Sequence, residues 1–135
     1  MTEASAATPR SPLTVLVIED NEVNQEILQS MLELLGHRCV LARDGAEGLS
    51  LFRGGGYDVV LVDWLMPVMD GLACTQAMRA VEAAAPDGRR TPIVVVSASA
   101  MINEVDHCLA AGADAHLAKP FRKAQLDDVI RRVLG

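Results

Sequence analysis

The sequence predicts an α/β fold: a doubly wound, five-stranded parallel sheet with helices on both faces. Three observations predict it. Apolar runs of strand length alternate with helical patterns five times along the chain. Several of those runs are near-continuous Val, Leu and Ile, as strands covered on both sides must be. The patterns between them carry helix start and stop signals. Strand–helix units repeated in this way imply right-handed crossovers, and the ligand site of such a sheet lies outside the carboxyl ends of its strands.

The elements follow in order. Residues 1–12, "MTEASAATPRSP", are small, polar and Pro-containing, and read as a disordered leader or linker, with the domain occupying 13–135. "LTVLVIE" (13–19), "RCVLA" (38–42), "YDVVLVD" (57–63), "PIVVVSA" (92–98) and "AHLA" (115–118) are the five strands. "NEVNQEILQSMLELLG" is the first helix, with Val23, Ile27, Met31 and Leu34 or Leu35 on one face and a stop at Gly36. "DGAEGLSLF" opens with Asp44 and Glu47 in capping-box spacing. "GLACTQAMRAVEAA" is the third helix, "PDGRRTP" a loop, and "MINEVDHCLAAG" the fourth helix. "FRKAQLDDVIRRVL" closes the chain with Leu126, Val129, Ile130, Val133 and Leu134 at helical spacing.

Composition narrows the function. With 135 residues the chain forms about one domain with a core of its own. A net charge of −6 and a pI near 4.9 argue against a nucleic-acid or anionic-membrane surface, and the pairs Arg89-Arg90 and Arg131-Arg132 read as solvated faces. No apolar run approaches a membrane span and no secretory signal opens the chain, so the expected location is the cytoplasm. Cys39, Cys74 and Cys108 are far apart and lack metal-ligand spacing, which fits reduced thiols packed as small hydrophobes.

Chemistry gathers at the strand ends. The first strand ends in Glu19-Asp20, the third in Asp63, the fourth in Ser97-Ala98, and the fifth leads to Lys119-Pro120. The second offers only Ala42 and Arg43, which places it at the sheet edge. Three carboxylates together repel one another unless a cation compensates, and Mg²⁺ takes one or two carboxylates and completes its shell with water and phosphate oxygen. Lys119 adds a positive charge and Ser97 a hydroxyl donor, a set suited to a phosphoryl group. Asp63, on the central strand, is then the nucleophile, and "MPVMDG" turns the chain away from it. Taken singly, Asp20-Asn21 reads as a helix cap, Asp63 as a turn residue and Lys119-Pro120 as a helix start. Their joint placement at matching strand ends favours a site.

"VLVIEDNEVNQ", "VDWLMPVMDG", "VVSASAM" and "HLAKPF" resemble the receiver domain of two-component response regulators, over residues 13 to 134. The resemblance implies a CheY-like, flavodoxin-like strand order 2-1-3-4-5. It further implies that Asp63 takes phosphoryl from a phosphohistidine on a histidine kinase or histidine phosphotransfer protein. Asp20, Asp63 and the Leu65 carbonyl would hold Mg²⁺ directly and Glu19 through water. Lys119 would pair with Asp63 and then with the phosphoryl group, Ser97 would move to bond a phosphoryl oxygen, and the Lys119–Pro120 peptide would be cis. His116 stands where the family often has Tyr or Phe as a switch, and reads equally as a polar strand-end residue or as that switch. Glu19 replaces the more frequent Asp, Trp64 packs beside the site, and Leu65 and Ser99 stand where they could admit or exclude an attacking water. "EDNEVNQ" and Ala98 are most similar to receivers of hybrid sensor kinases and phosphorelays. No output domain follows the fifth helix; a stand-alone receiver and a fragment of a longer protein both remain open, as does the oligomeric state.

Two rival functions are weighed. An aspartate-nucleophile phosphatase of the haloacid-dehalogenase kind places its nucleophile after the first strand with an Asp two positions on, whereas Leu65 follows Asp63 at that spacing. A docking module that is never phosphorylated has no need of an electrostatically costly acidic cluster. Flavin binding is weaker still, because the first loop is acidic where a flavin phosphate needs donors.

Overall fold

The computed structural model describes residues 12–66, 69–98 and 102–135. Five strands, β1 (Thr14–Ile18), β2 (Arg38–Ala42), β3 (Val59–Asp63), β4 (Ile93–Ser97) and β5 (Ala115–Ala118), alternate with five helices. The helices are α1 (Glu22–Leu34), α2 (Gly45–Arg53), α3 (Gly71–Ala84), α4 (Ile102–Ala110) and α5 (Lys123–Leu134). All strand pairs are parallel, in the order β2-β1-β3-β4-β5, with β2 at one edge as the sequence predicts. The order reverses between β1 and β3, which puts Glu19 and Asp63 beside the crevice where such folds bind ligands.

Strand alternation divides the core into two layers. Leu16, Ile18, Val60, Val62, Ile93 and Val95 face Phe52 of α2, Cys74 and Met78 of α3 and Cys108 of α4. Val15, Val17, Val59, Leu61, Val94 and Val96 face Leu28 and Leu32 of α1 and Leu126, Val129 and Ile130 of α5. Cys74 and Cys108 are fully buried, and burial pushes both thiols up to about 11. They pack as small hydrophobes, as expected.

The helix ends are set by side chains. Asn21 caps α1 through Asn24 N–H, Asp44 caps α2 through Glu47 N–H at 2.8 Å, and Asp70 caps α3 through Ala73 N–H. At α2 the reciprocal bond is shifted by one residue: Glu47 Oε1 accepts from Arg43 N–H at 2.6 Å instead of from the cap residue's own N–H.

The predicted inner face of α1 is corrected. Leu28 and Leu32 are the residues buried against the sheet, whereas Val23, Ile27 and Leu34 are 63%, 46% and 73% exposed; Met31 and Leu35 pack at the margin. The two apolar stripes lie about 100° apart on the helix, and periodicity alone cannot choose which one docks. Leu28 and Leu32 join the buried layer that holds Val15 and Val17, leaving Val23 and Ile27 as a solvent-facing apolar ridge near the carboxyl edge.

The basic pairs divide. Arg131 and Arg132 are exposed and pair with Asp127 and Asp128 one turn earlier, as solvated faces do. Arg90 instead reaches Asp114 at 2.9 Å, part of a cluster at the amino ends of β4 and β5.

Candidate functional site

At its carboxyl end β1 continues into Glu19, which keeps the strand's backbone pairing by donating to the Ala42 carbonyl. The residue is 1% exposed, and its Oε2 accepts from Asn21 N–H at 3.1 Å. The Gln25 amide donates to the Glu19 carbonyl at 2.6 Å, tying the first turn of α1 to the strand end. Asn21 and Gln25 thus fix Glu19, a role that the reading of Asp20-Asn21 as a helix cap does not include. The signal was their place in "EDNEVNQ", within six residues of Glu19.

Asp63 ends β3, 8% exposed, at the middle of the sheet. Beyond it, Trp64 N–H donates to the Val96 carbonyl, and Gly71 N–H returns to donate to the Trp64 carbonyl at 2.8 Å. A Cβ on Gly71 would lie 2.5 Å from the Asp63 carbonyl oxygen, so the first residue of α3 reaches the strand end only as glycine. The turn therefore closes tightly behind the acid, with Pro67 and Val68 outside the described residues. Trp64 packs half-buried against the layer formed by α2 and α3. Leu65 is 75% exposed at the rim.

One oxygen from each of Glu19, Asp20 and Asp63 lies within 4.8 Å of the others. This fits a hard divalent ion: two buried carboxylates and one exposed one, with room on the solvent side for water ligands. From the far side of β4, Lys119 extends Nζ to 3.1 Å from Asp63 Oδ1 and 3.3 Å from Glu19 Oε1. Its backbone N–H donates to the Ser97 carbonyl at 2.7 Å, and the Lys119–Pro120 peptide is cis, as the resemblance implies.

One ammonium facing three acids leaves the edge short of positive charge. Burial pushes the Asp63 carboxyl above its usual range, opposed by Lys119 and reinforced by Asp20. Burial likewise raises Glu19, with the Asp63 charge adding to it against the Asn21 hydrogen bond and Lys119. Burial alone would lower Lys119, but Asp63 and Glu19 outweigh it and hold the ammonium more basic than usual.

Ser97, buried at the end of β4, places Oγ 2.7 Å from His116 Nε2. His116 pairs in register with Val95 and Ser97 with Ala118, so the two side chains are diagonal neighbours on the α3–α4 face of the sheet. The fold thus assembles every sequence-predicted site residue at one edge except Ser99, which lies outside the described residues. Beside the edge, α1 and the segment 119–121 enclose an open, mostly apolar groove lined by Asn24, Ile27, Leu28, Ala98, Pro120 and Phe121.

Such an edge suits a compact, multiply charged oxyanion held alongside a divalent cation, which places the domain in the class of phosphoryl-handling α/β modules. Within that class the chain belongs to the response regulator receiver domain family, whose model matches residues 15–131. The hybrid signal transduction histidine kinase G of Dictyostelium discoideum is 42% identical over 127 residues, 93% of this chain but 4% of that protein. The receiver domain of a sensor histidine kinase from Pseudomonas aeruginosa, solved with a magnesium ion in its active-site cleft, is 37% identical. That match has a TM-score of 0.81 over 93% of this chain and 99% of the other. A co-crystal structure of the Saccharomyces cerevisiae histidine phosphotransfer protein Ypd1 with the receiver domain of Ssk1 matches at 27% identity and a TM-score of 0.82, covering 91% of this chain and 89% of that one. The chain therefore corresponds to a small part of the long kinases it resembles. No helix among the described residues is long and apolar enough to cross a membrane.

Proposed function

We propose that this receiver domain accepts a phosphoryl group on Asp63 from a phosphohistidine of a histidine kinase or histidine phosphotransfer protein. The observation that carries the reading is a buried carboxylate at the end of the central strand, paired with Lys119 at 3.1 Å and with an oxygen within 4.8 Å of those of two further acids. An Asp63 oxygen attacks phosphorus, an O–P bond forms as the P–N bond breaks, and the imidazole leaving group takes up a proton. Glu19, Asp20, Asp63 and the Leu65 carbonyl would hold Mg²⁺, which supplies charge neutralisation for the transferring group. Lys119 leaves Asp63 for a phosphoryl oxygen, and Ser97 donates to another.

The donor must bring its imidazole within reach of Asp63, and the surface it then covers is the ridge of Val23 and Ile27 with the groove beside Pro120 and Phe121. Lys119 lines both the groove and the site, so the two are continuous. The domain is a signalling module and not a multiple-turnover enzyme; its chemistry is its own phosphorylation and the slow hydrolysis of the product. The domain is 13–135, and it works in the cytoplasm, either alone or within a longer kinase.

The test is intact-protein mass after incubation with Mg²⁺ and a small phosphoryl donor, beside Asp63→Asn. One phosphoryl adduct that needs Mg²⁺ and is lost in Asp63→Asn is the expected result. An adduct that persists in the variant would move the acceptor elsewhere, and continuous release of phosphate would favour the phosphatase.

A further inference from the structure

We propose that His116 and Ser97 form a proton-linked relay, in which protonation of the His116 imidazole and capture of the phosphoryl group at Asp63 favour each other. The inference rests on Asp63 as acceptor and assigns to His116 a positioning role exerted through Ser97.

Ser97 Oγ and His116 Nε2 lie 2.7 Å apart, within hydrogen-bond distance. A serine hydroxyl has one hydrogen and two lone pairs, while an imidazole nitrogen either accepts or donates according to its protonation. When Nε2 carries no proton, Ser97 O–H donates to it, and only lone pairs remain to face a phosphoryl oxygen. Those lone pairs repel the anion. When the ring is an imidazolium, Nε2–H donates to Oγ, and the Ser97 hydrogen is released to point at the phosphoryl group. The chain of donors then runs imidazolium to hydroxyl to anion, each bond strengthened by the charge at both ends. The neutral Nε2–H tautomer offers the same direction without the charge and sets the baseline at high pH. No covalent bond changes; one proton is taken from solvent.

The two side chains are held for this by the sheet itself. Ser97 and His116 project to the same face from hydrogen-bonded strands, offset by one diagonal step. Ser97 is 5% exposed and His116 half-buried, so water competes poorly for the contact. β4 carries no ionisable side chain. Of the helices packed against β5, α4 bears Glu104, Asp106 and His107, and α5, on the opposite face, bears Lys123, Asp127, Asp128, Arg131 and Arg132. Asp114 and Lys119 flank the strand, and Arg79 binds Asp114 at its far end. These are the charged groups on the elements around β5. The bound anion also acts on the ring directly through its charge, and the comparison with Ser97→Ala separates that effect from the relay. Phe does not titrate and Tyr does so only at about pH 10, whereas an imidazole ordinarily titrates near neutral pH.

The test follows the ring signals of His116 by NMR against pH in the full chain, with His37 and His107 as internal references. Spectra are taken with Mg²⁺ alone and with Mg²⁺ plus beryllofluoride, a stand-in for the phosphoryl group. The expected result is a His116 midpoint raised by about one unit in the beryllofluoride form, a shift at least halved in Ser97→Ala. By reciprocity, beryllofluoride binds about tenfold more tightly below the lower midpoint than above the higher one. That pH dependence disappears in His116→Gln, which keeps a polar amide at the position. An unchanged midpoint on binding, or an equal shift in Ser97→Ala, would overturn the relay while leaving Asp63 as acceptor. Failure of beryllofluoride to bind at all, read by ¹⁹F NMR beside Asp63→Asn, would overturn the functional reading and the relay together.

Discussion

Two charged clusters stand at opposite edges of the same sheet, built from similar residues and poised in opposite electrostatic states. At the amino ends of β4 and β5, Arg79 donates to Glu82 and Asp114 at 2.7 Å each, to the Thr91 carbonyl at 2.8 Å and to the Gly112 carbonyl at 2.9 Å. Asp114 in turn accepts from Ile93 N–H and from Arg90. Burial would raise the Asp114 carboxyl, but the hydrogen bonds from Arg90 and Ile93 and the charges of Arg79 and Arg90 overcome it and hold it below its usual value. At the carboxyl end, Glu19 and Asp63 share one lysine beside the exposed Asp20, and burial leaves Glu19 and Asp63 above theirs. The first cluster is complete without a ligand and stitches loop to sheet. The second is incomplete by charge, and a cation and an anion are what complete it. Perturbation in opposite directions is therefore a better guide to function here than the mere presence of buried charge.

Removing the cation from the finished cluster should have the largest effect on stability. Arg79→Ala strands two carboxylates and two carbonyls that are mostly shielded from water. It should lower the unfolding free energy by about 3 kcal/mol in urea titrations, without abolishing phosphoryl acceptance by the folded fraction. A loss within experimental error would mean the clamp is solvent-bridged and the contrast is overstated.

Neutralising an acid at the unfinished cluster should act in the other direction. Asp63→Asn leaves Glu19 paired with Lys119 and removes one repelling charge, so the metal-free protein should gain about 1 kcal/mol. Added Mg²⁺ should stabilise the parent chain, by about 2.7 kcal/mol at one hundred times its Kd, and the variant much less. A variant destabilised without metal would show that the ion pair of Asp63 and Lys119 outweighs the repulsion.

The smallest effect, and the sharpest test of sign, is the response to acid. Glu19 and Asp63 have folded values raised above their ordinary 4.5 and 3.8, so the folded state binds their protons more tightly than the unfolded chain does. Their destabilising charge is present at neutral pH and is relieved as pH falls through the raised values. Asp114 has a folded value below 3.8, so its contribution is present above that pH and is lost as pH falls through the folded value. Metal-free stability should hold or rise slightly on acidification towards pH 4.5 and then fall below pH 3.8. Asp63→Asn should flatten the first phase and Asp114→Asn the second. Denaturation midpoints measured across this range check both.

Much of this site was legible because its residues end strands. Glu19, Asp20, Asp63, Ser97 and Lys119 each follow a short apolar run, and a parallel sheet brings such ends to one edge whatever the loops do. The helix caps Asn21 and Asp44 were equally local. The clamp was not legible: Arg79 lies in a helix that reads as ordinary, and its partners at Thr91, Gly112 and Asp114 are 12 to 35 residues away. The docking face of α1 was misphased for a related reason. Two apolar stripes of equal quality compete on one helix, and the choice rests on how the helix crosses β1.

By itself, then, the sequence determined the alternation of elements, the two-sided burial of the sheet and the chemistry available at its carboxyl edge. These depend on period, caps and residue type, which are properties of neighbours along the chain. Only the tertiary structure decided that Gly71 is required behind Asp63, that Leu28 and Leu32 dock while Val23 and Ile27 face outwards, and that Ser97 meets His116 across two strands. Each of these is a close approach between segments distant in sequence. It is fixed by register and crossing angle, quantities that no local pattern encodes.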